Sequence, residues 1–204
     1  MPHILQNLWF WLFLYHHLLN KDISNPIFDL IMPIITSKDF LTIIGVILIF
    51  YLLFFGGKRG KIAFLVLLFS AGMSDAICAQ IIKPWVGRVR PSHEFIEYIN
   101  LLVSKGGKWS FPSNHAANSF AFATVLSYFY ERRKIILFLS ASVIAYSRLY
   151  VGVHYPLDIV FGALTGYILS WIVLSIWVIV KMRELKRGRM WAVSYTHLTL
   201  PTKA

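Results

Sequence analysis

SRLYVGVHYPLDIVFGALTGYILSWIVLSIWVIV, from Ser147 to Val180, decides the fold. From Leu157 to Val180 the only charged residue is Asp158. About 20 apolar residues cross the hydrocarbon of a bilayer as a helix, so this run reads as a membrane span. Polar chemistry crowds its mouth: Ser147, Arg148, His154 and Asp158 fall within twelve residues.

Four more apolar runs read as spans: Phe40–Phe55, Ile62–Ile82, His115–Tyr130 and Ile135–Val151. The His115–Tyr130 run is short and polar at its start, which predicts burial among other helices. Before Phe40, Asn25-Pro26 breaks the chain. Ile27–Thr36 reads as an interfacial helix. Ile4–Leu19, with Asn7, His16 and His17, reads equally well as a sixth span or a second interfacial helix. The expected fold is all-α: a polytopic membrane helix bundle of five to six transmembrane helices with an N-terminal interfacial part. One domain is expected over 1–192, with a membrane-associated segment at 1–37 and the bundle at 38–182. The last residues, 193–204, are polar and Thr-rich, and read as a disordered or vector-derived tail. There is no internal repeat, and no cleavable signal peptide is expected.

Composition agrees. The 204 residues are 57% hydrophobic, too apolar for a soluble domain of this size. Mean hydropathy is +0.64. The net charge of +11 could serve nucleic acid, anionic lipid or topology. Almost no soluble surface remains for nucleic acid, so that partner is excluded. Cys78 is the sole cysteine, so no internal disulfide forms.

Charge also sets orientation. One side carries Lys58, Arg59 and Lys61, then Arg132, Arg133 and Lys134, then Lys181, Arg183, Lys186, Arg187 and Arg189. The other carries Lys21, Lys38, Lys83, Arg88, Arg90, Lys105, Lys108 and Arg148. The positive-inside rule puts the first set in the cytoplasm. The second set then faces the periplasm or exterior of a bacterial inner membrane.

Three polar clusters sit at helix ends on that second side: Lys83 to Pro91, Phe111 to His115, and Ser147 to Asp158. Alternation of spans brings them to one membrane face. Lys83, Arg90 and Arg148 repel one another unless an anion is bound there. A phosphate supplies the charge and the acceptor oxygens that Arg forks match. Ser113 adds a hydroxyl before a helix start, where backbone N–H groups favour anions. His154 and Asp158 lie four apart and share a helix face. A carboxylate beside an imidazole fixes its tautomer and leaves the other nitrogen free to attack phosphorus. His115, from another helix, is placed for acid–base work near neutral pH.

Lys83-x6-Arg90-Pro91, Pro112-Ser113-x-His115 and Ser147-Arg148-x5-His154-x3-Asp158 resemble the three-part signature of the type 2 phosphatidic acid phosphatase superfamily. The likeness covers about Ile62–Tyr167. It implies a metal-independent phosphatase without a cofactor, working through a phosphohistidine. It implies His154 as nucleophile, His115 as general acid and Asp158 as partner of His154. It implies Lys83, Arg90, Ser113 and Arg148 as phosphate ligands, with the Asn114 backbone N–H. The family usually has Gly where this chain has Asn114; Asn keeps that N–H and tolerates unusual backbone angles.

By the same resemblance, small bacterial members act on lipid A 1-phosphate, undecaprenyl diphosphate or phosphatidylglycerol phosphate. The expected substrate is a lipid phosphate in the bilayer, lipid A 1-phosphate first, with no obligate protein partner. A vanadate haloperoxidase would share the anion site but not the spans. A membrane scaffold or transporter would explain the spans but not the paired histidines.

Other residues have ordinary readings. His16, His17 and His93 read as interfacial. Trp85 and Trp109 read as belt residues, and the charged Ser92–Ser110 loop as solvated unless it selects a headgroup. Arg88 lies outside the signature, divided evenly between headgroup contact and none. Asp75, within a span, is a costly charge with no named role. Gly162-x-x-x-Gly166 predicts close helix packing.

Overall fold

A computed structural model describes residues 18–188. The reading of Ile4–Leu19 falls almost wholly outside these residues, and that of the 193–204 tail entirely so. A helical turn over Leu18–Asp22 precedes α1 (Pro26–Thr36). Then follow α2 (Lys38–Phe55), α3 (Gly57–Val86), α4 (Pro91–Glu94), α5 (Asn114–Phe129), α6 (Lys134–Tyr150) and α7 (Pro156–Lys186).

Local chemistry sets the boundaries. Asn25 caps α1 by accepting from Phe28 N at 3.0 Å, with Pro26 in the first turn, where its missing N–H costs nothing. Ser37 caps α2 by accepting from Phe40 N at 3.2 Å. The α3 helix ends at Gly87, whose φ of +61° is the left-handed position that favours glycine. From there the chain turns into Arg88–Arg90. This segment pairs with Lys108–Ser110 through an antiparallel bridge at Val89 and Trp109. Arg90 N donates to Lys108 O at 3.1 Å and Ser110 N to Arg88 O at 2.8 Å.

Among the described residues three helices, α2, α3 and α7, are long and apolar enough to cross a membrane. The sequence predicted spans over α5 and α6 as well. Helices of 16 and 17 residues stand at both places, near the short end of the length that crosses a bilayer. α1 is an apolar helix of 11 residues, too short to cross, as expected for Ile27–Thr36.

α5 is the centre of the bundle and packs against α7, α6 and α3. Its buried face is built of small residues, Ala116, Ala117, Ala121 and Ala123. Leu52, Val66, Leu67, Val125, Phe129 and Leu174 form a core toward the end opposite the polar clusters. The outside is apolar: Ile43, Ile47 and Phe50 on α2, Ile135 and Leu139 on α6, and Ile168 and Ile172 on α7 are all exposed. Water would not tolerate so large a patch, but lipid does.

The α5–α7 contact depends on Gly162 and Gly166. A Cβ on Gly162 would meet Ser113 O at 2.5 Å, and one on Gly166 would collide with the Ala117 backbone. Backbone cannot yield as a side chain can. Gly166→Ala is therefore expected to destabilise the protein by about 1–3 kcal/mol in detergent. Gly45→Ala, whose Cβ meets nothing within 4 Å, is the control and is expected to change stability little. Equal unfolding midpoints for the two variants would contradict the packing described.

Candidate active site

The polar clusters gather at one end of the bundle, and Asp158 touches all three. Its backbone carbonyl accepts from Ser113 N at 2.9 Å, joining the start of α7 to the start of α5. Its Oδ1 pairs with Arg88 Nη1 at 3.1 Å. Its Oδ2 accepts from Tyr155 N at 2.8 Å and faces His154 Nδ1 at 3.4 Å. A second tie comes from the end of α3, where Lys83 Nζ donates to Pro112 O at 2.5 Å and Ser110 O at 3.4 Å.

His154 is 1% exposed and Asp158 fully buried. A proton on Nδ1, directed at the carboxylate, leaves Nε2 as the lone-pair nitrogen. Burial pushes the His154 pKa down to about 3, and the Arg90 and Arg148 charges act in the same direction. The hydrogen bond and charge of Asp158 oppose them without prevailing. The imidazole is therefore neutral at ordinary pH, the form a nucleophile needs.

Lys83, Arg90 and Arg148 are held by neutral oxygens. Arg90 Nε donates to Trp109 O at 3.0 Å. Burial holds the Arg90 pKa below the ordinary arginine value, but the guanidinium stays charged. Arg148 is buried and reaches back to α1, donating from Nη1 to Thr36 Oγ1 at 2.8 Å. His115 is half-buried in the first turn of α5, and the charges of Arg148, Arg90, Lys38 and Lys83 reach it. Ser113 is buried; its Oγ caps α5 by accepting from Ala116 N at 3.4 Å. Lys83, Arg88, Arg90, Ser113, His115, Arg148, His154 and Asp158 thus share one end of the fold.

Two side chains make contacts that the sequence reading did not name. Asn114 is in ordinary helical conformation; among the described residues only glycines take positive φ. Its side chain leaves the cluster for Asp75 on α3, Nδ2 to Oδ1 at 2.7 Å. Only its main chain stays with Ser113 and His115. Arg88 is engaged with Asp158, and its guanidinium lies 4.1 Å from the Tyr155 ring centroid. Tyr155 in turn donates its hydroxyl to Glu94 Oε2 at 3.1 Å.

The 92–110 loop is tied down over the cluster. Ser92 Oγ donates to Lys105 O at 2.9 Å, and His93 Nε2 lies 3.2 Å from Gly106 O. Gly106, at φ +70°, lets this loop lie directly on Arg90; a Cβ there would meet Arg90 Nη1 at 2.5 Å. Sequence reasoning found neither the Thr36 contact to Arg148 nor the Arg88–Tyr155–Glu94 chain, because no local pattern links residues so far apart. A cavity of about 860 Å³ lies elsewhere, lined by Arg59, Tyr130, Arg132, Arg133, Lys134 and Trp171 among others. None of the clustered residues borders it.

Residues 63–181 match the PAP2 superfamily, and the chain belongs to it. It is a membrane phosphatase of that class, multi-pass and acting on phosphoric esters. The chain is 33% identical over 157 residues to the lipid A 4′-phosphatase of Bacteroides thetaiotaomicron, covering 74% of this chain and 70% of that one. It is 30% identical over 171 residues to the lipid A 4′-phosphatase of Porphyromonas gingivalis, covering 80% and 72%. The crystal structure of Aquifex aeolicus LpxE superposes with a TM-score of 0.59 at 31% identity, covering 79% of this chain and 93% of that one.

The depressed His154 pKa has a consequence for stability. In the unfolded chain His154 takes up a proton near 6.5, in the folded one only near 3. Between those values the unfolded state binds more protons, so this contribution is intact above about 6.5 and is lost as pH falls toward 3. The unfolding midpoint is expected to drop more steeply between about pH 7 and about pH 4 in the parent protein than in His154→Asn. Parallel curves would mean that His154 is not held neutral by burial.

Proposed function

We propose that this chain removes a phosphate from lipid A through a phosphohistidine on His154. The observation that carries the reading is the buried imidazole of His154, facing Asp158 at 3.4 Å and reached by the charges of Arg90 and Arg148. In the first step His154 Nε2 attacks phosphorus and the bond to the leaving oxygen breaks. His115 gives that oxygen its proton. In the second step water attacks phosphorus, His115 takes the water's proton, and the N–P bond breaks to release phosphate.

Lys83, Arg90, Arg148, the Ser113 hydroxyl and the Asn114 N–H hold the non-bridging oxygens and stabilise the charge that spreads over them. Arg88 serves Asp158 rather than the headgroup. No metal or cofactor takes part in these steps. The domain is a single unit over 1–192, needing no protein partner and no nucleic acid.

Five crossings, α2, α3, α5, α6 and α7, fit the alternation of the polar ends. α5 and α6 would cross as short helices enclosed by the others. The basic turns at Lys58–Lys61, Arg132–Lys134 and Lys181–Arg187 lie at the other end, and the positive-inside rule makes that end cytoplasmic. The site then opens to the periplasmic side of a bacterial inner membrane, where it meets lipid in the outer leaflet.

The sequence led to the 1-phosphate of lipid A. Two relatives that match 74% and 80% of the chain are named for the 4′-phosphate, and we take the 4′ position as the target. Undecaprenyl diphosphate and phosphatidylglycerol phosphate are the competing substrates.

The test is phosphate release from a panel of these lipids by detergent-solubilised protein. Lipid A is expected to react fastest, with mass spectrometry locating the lost group at 4′. Activity is expected to persist in chelator, and His154→Ala to lower it by at least about 10³-fold while the protein remains folded. Loss of the 1-phosphate would restore the sequence's expectation. Turnover by His154→Ala would remove the nucleophile assignment. No release from any lipid would favour a non-catalytic membrane protein.

A further inference from the structure

A carboxylate stands exposed on the flank of α3, just below the clustered site. Asp75 is eight residues before Lys83 on the same helix, and through Asn114 it is one contact away from the Ser113–His115 segment. Asn114 Nδ2 and Asn118 Nδ2 both reach it, at 2.7 and 3.2 Å. The asparagines are four apart and share one face of α5. Both amides converge on Oδ1; Oδ2 accepts no hydrogen bond among the described residues. The two amide oxygens, Asn114 Oδ1 and Asn118 Oδ1, are buried without partners.

As a tie between two helices this is a poor arrangement. A charge on the flank of a membrane helix is costly, and neutral groups would join α3 to α5 without it. What a carboxylate adds is a strong acceptor that cannot donate. A ligand that satisfies it must bring O–H or N–H groups to the level just beneath the bound phosphate.

Lipid phosphates differ at that level. Phosphatidic acid presents a glycerol diester with no donor. Undecaprenyl diphosphate presents a second phosphate, which a carboxylate repels, and phosphatidylglycerol phosphate a single glycerol hydroxyl followed by one. An acylated amino sugar presents ring hydroxyls and amide N–H groups. We propose that Asp75, with Asn114 and Asn118, forms a saccharide subsite that selects a phosphorylated, N-acylated amino-sugar lipid. This rests on the lipid A reading and supplies the residues that would distinguish that lipid.

Asp75→Asn isolates the feature. The new Oδ1 still receives both asparagine amides, while the free acceptor becomes a donor. The detergent-solubilised protein is assayed with lipid A, phosphatidic acid and undecaprenyl diphosphate. For lipid A, KM is expected to rise about tenfold, as when a hydrogen bond to a charged group is lost, with phosphatidic acid changed by less than about twofold. The preference for undecaprenyl diphosphate over lipid A is expected to rise. Asn118→Ala, which leaves the Asn114 tie in place, is expected to move the same ratios less. Unfolding midpoints confirm that both variants are folded.

An equal fall in kcat/KM on all three lipids would overturn the subsite and leave Asp75 as a support for the Ser113–His115 segment. An unchanged KM for lipid A in both variants would overturn it too. A parent protein that hydrolyses the other lipids but not lipid A would refute the substrate reading itself, a result distinct from either.

Discussion

Asp158 is a fully buried carboxylate at the first turn of the longest helix, and the polar end of the bundle is organised around it. Each oxygen is committed: Oδ1 to Arg88, Oδ2 to the Tyr155 N–H and His154. A buried charge is tolerable only when its partners compensate the lost hydration. The partners here come from chain segments far apart, and the Asp158 carbonyl adds Ser113. One residue thereby fixes the relative positions of the loop after α3, the start of α5 and the turn before α7. Placement of the imidazole follows from these contacts, and so does its freedom to present Nε2.

The membrane imposes the complementary constraint. Helices that expose leucine and isoleucine to lipid gain little by excluding lipid from one another, so packing must come from close approach. Gly162 and Gly166 permit it on α7, facing the alanine-lined α5. This brings the Ser113 and Asp158 backbones within hydrogen-bond distance, so the packing interface and the site are parts of one contact. The polar groups then occupy the start of α5, where free N–H groups are available, and the end of α6.

Much of this was readable in the chain. His154 and Asp158 are four apart, and local spacing alone puts them together. The gathering of three clusters follows from alternation of apolar runs. The glycine spacing in α7 announced close packing. The illegible parts depend on partners distant in sequence. The sequence left Arg88 evenly divided between headgroup contact and none, because its partner Asp158 lies seventy residues on. Arg148 leans on Thr36, 112 residues away. Asn114 was read for its main chain alone, and its side chain turned out to hold Asp75. Hydropathy also gave the extents of α5 and α6 to within a residue, through the runs His115–Tyr130 and Ile135–Val151.

The most direct test of the account is a crystal structure of the protein with vanadate, an anion that adopts the five-coordinate geometry of phosphoryl transfer. The account predicts vanadium bonded to His154 Nε2, with its oxygens held by Lys83, Arg90 and Arg148 and His115 beside the axial oxygen opposite. Vanadate bound only in the basic cavity around Arg59 and Arg132, with His154 still paired to Asp158 and untouched, would contradict it.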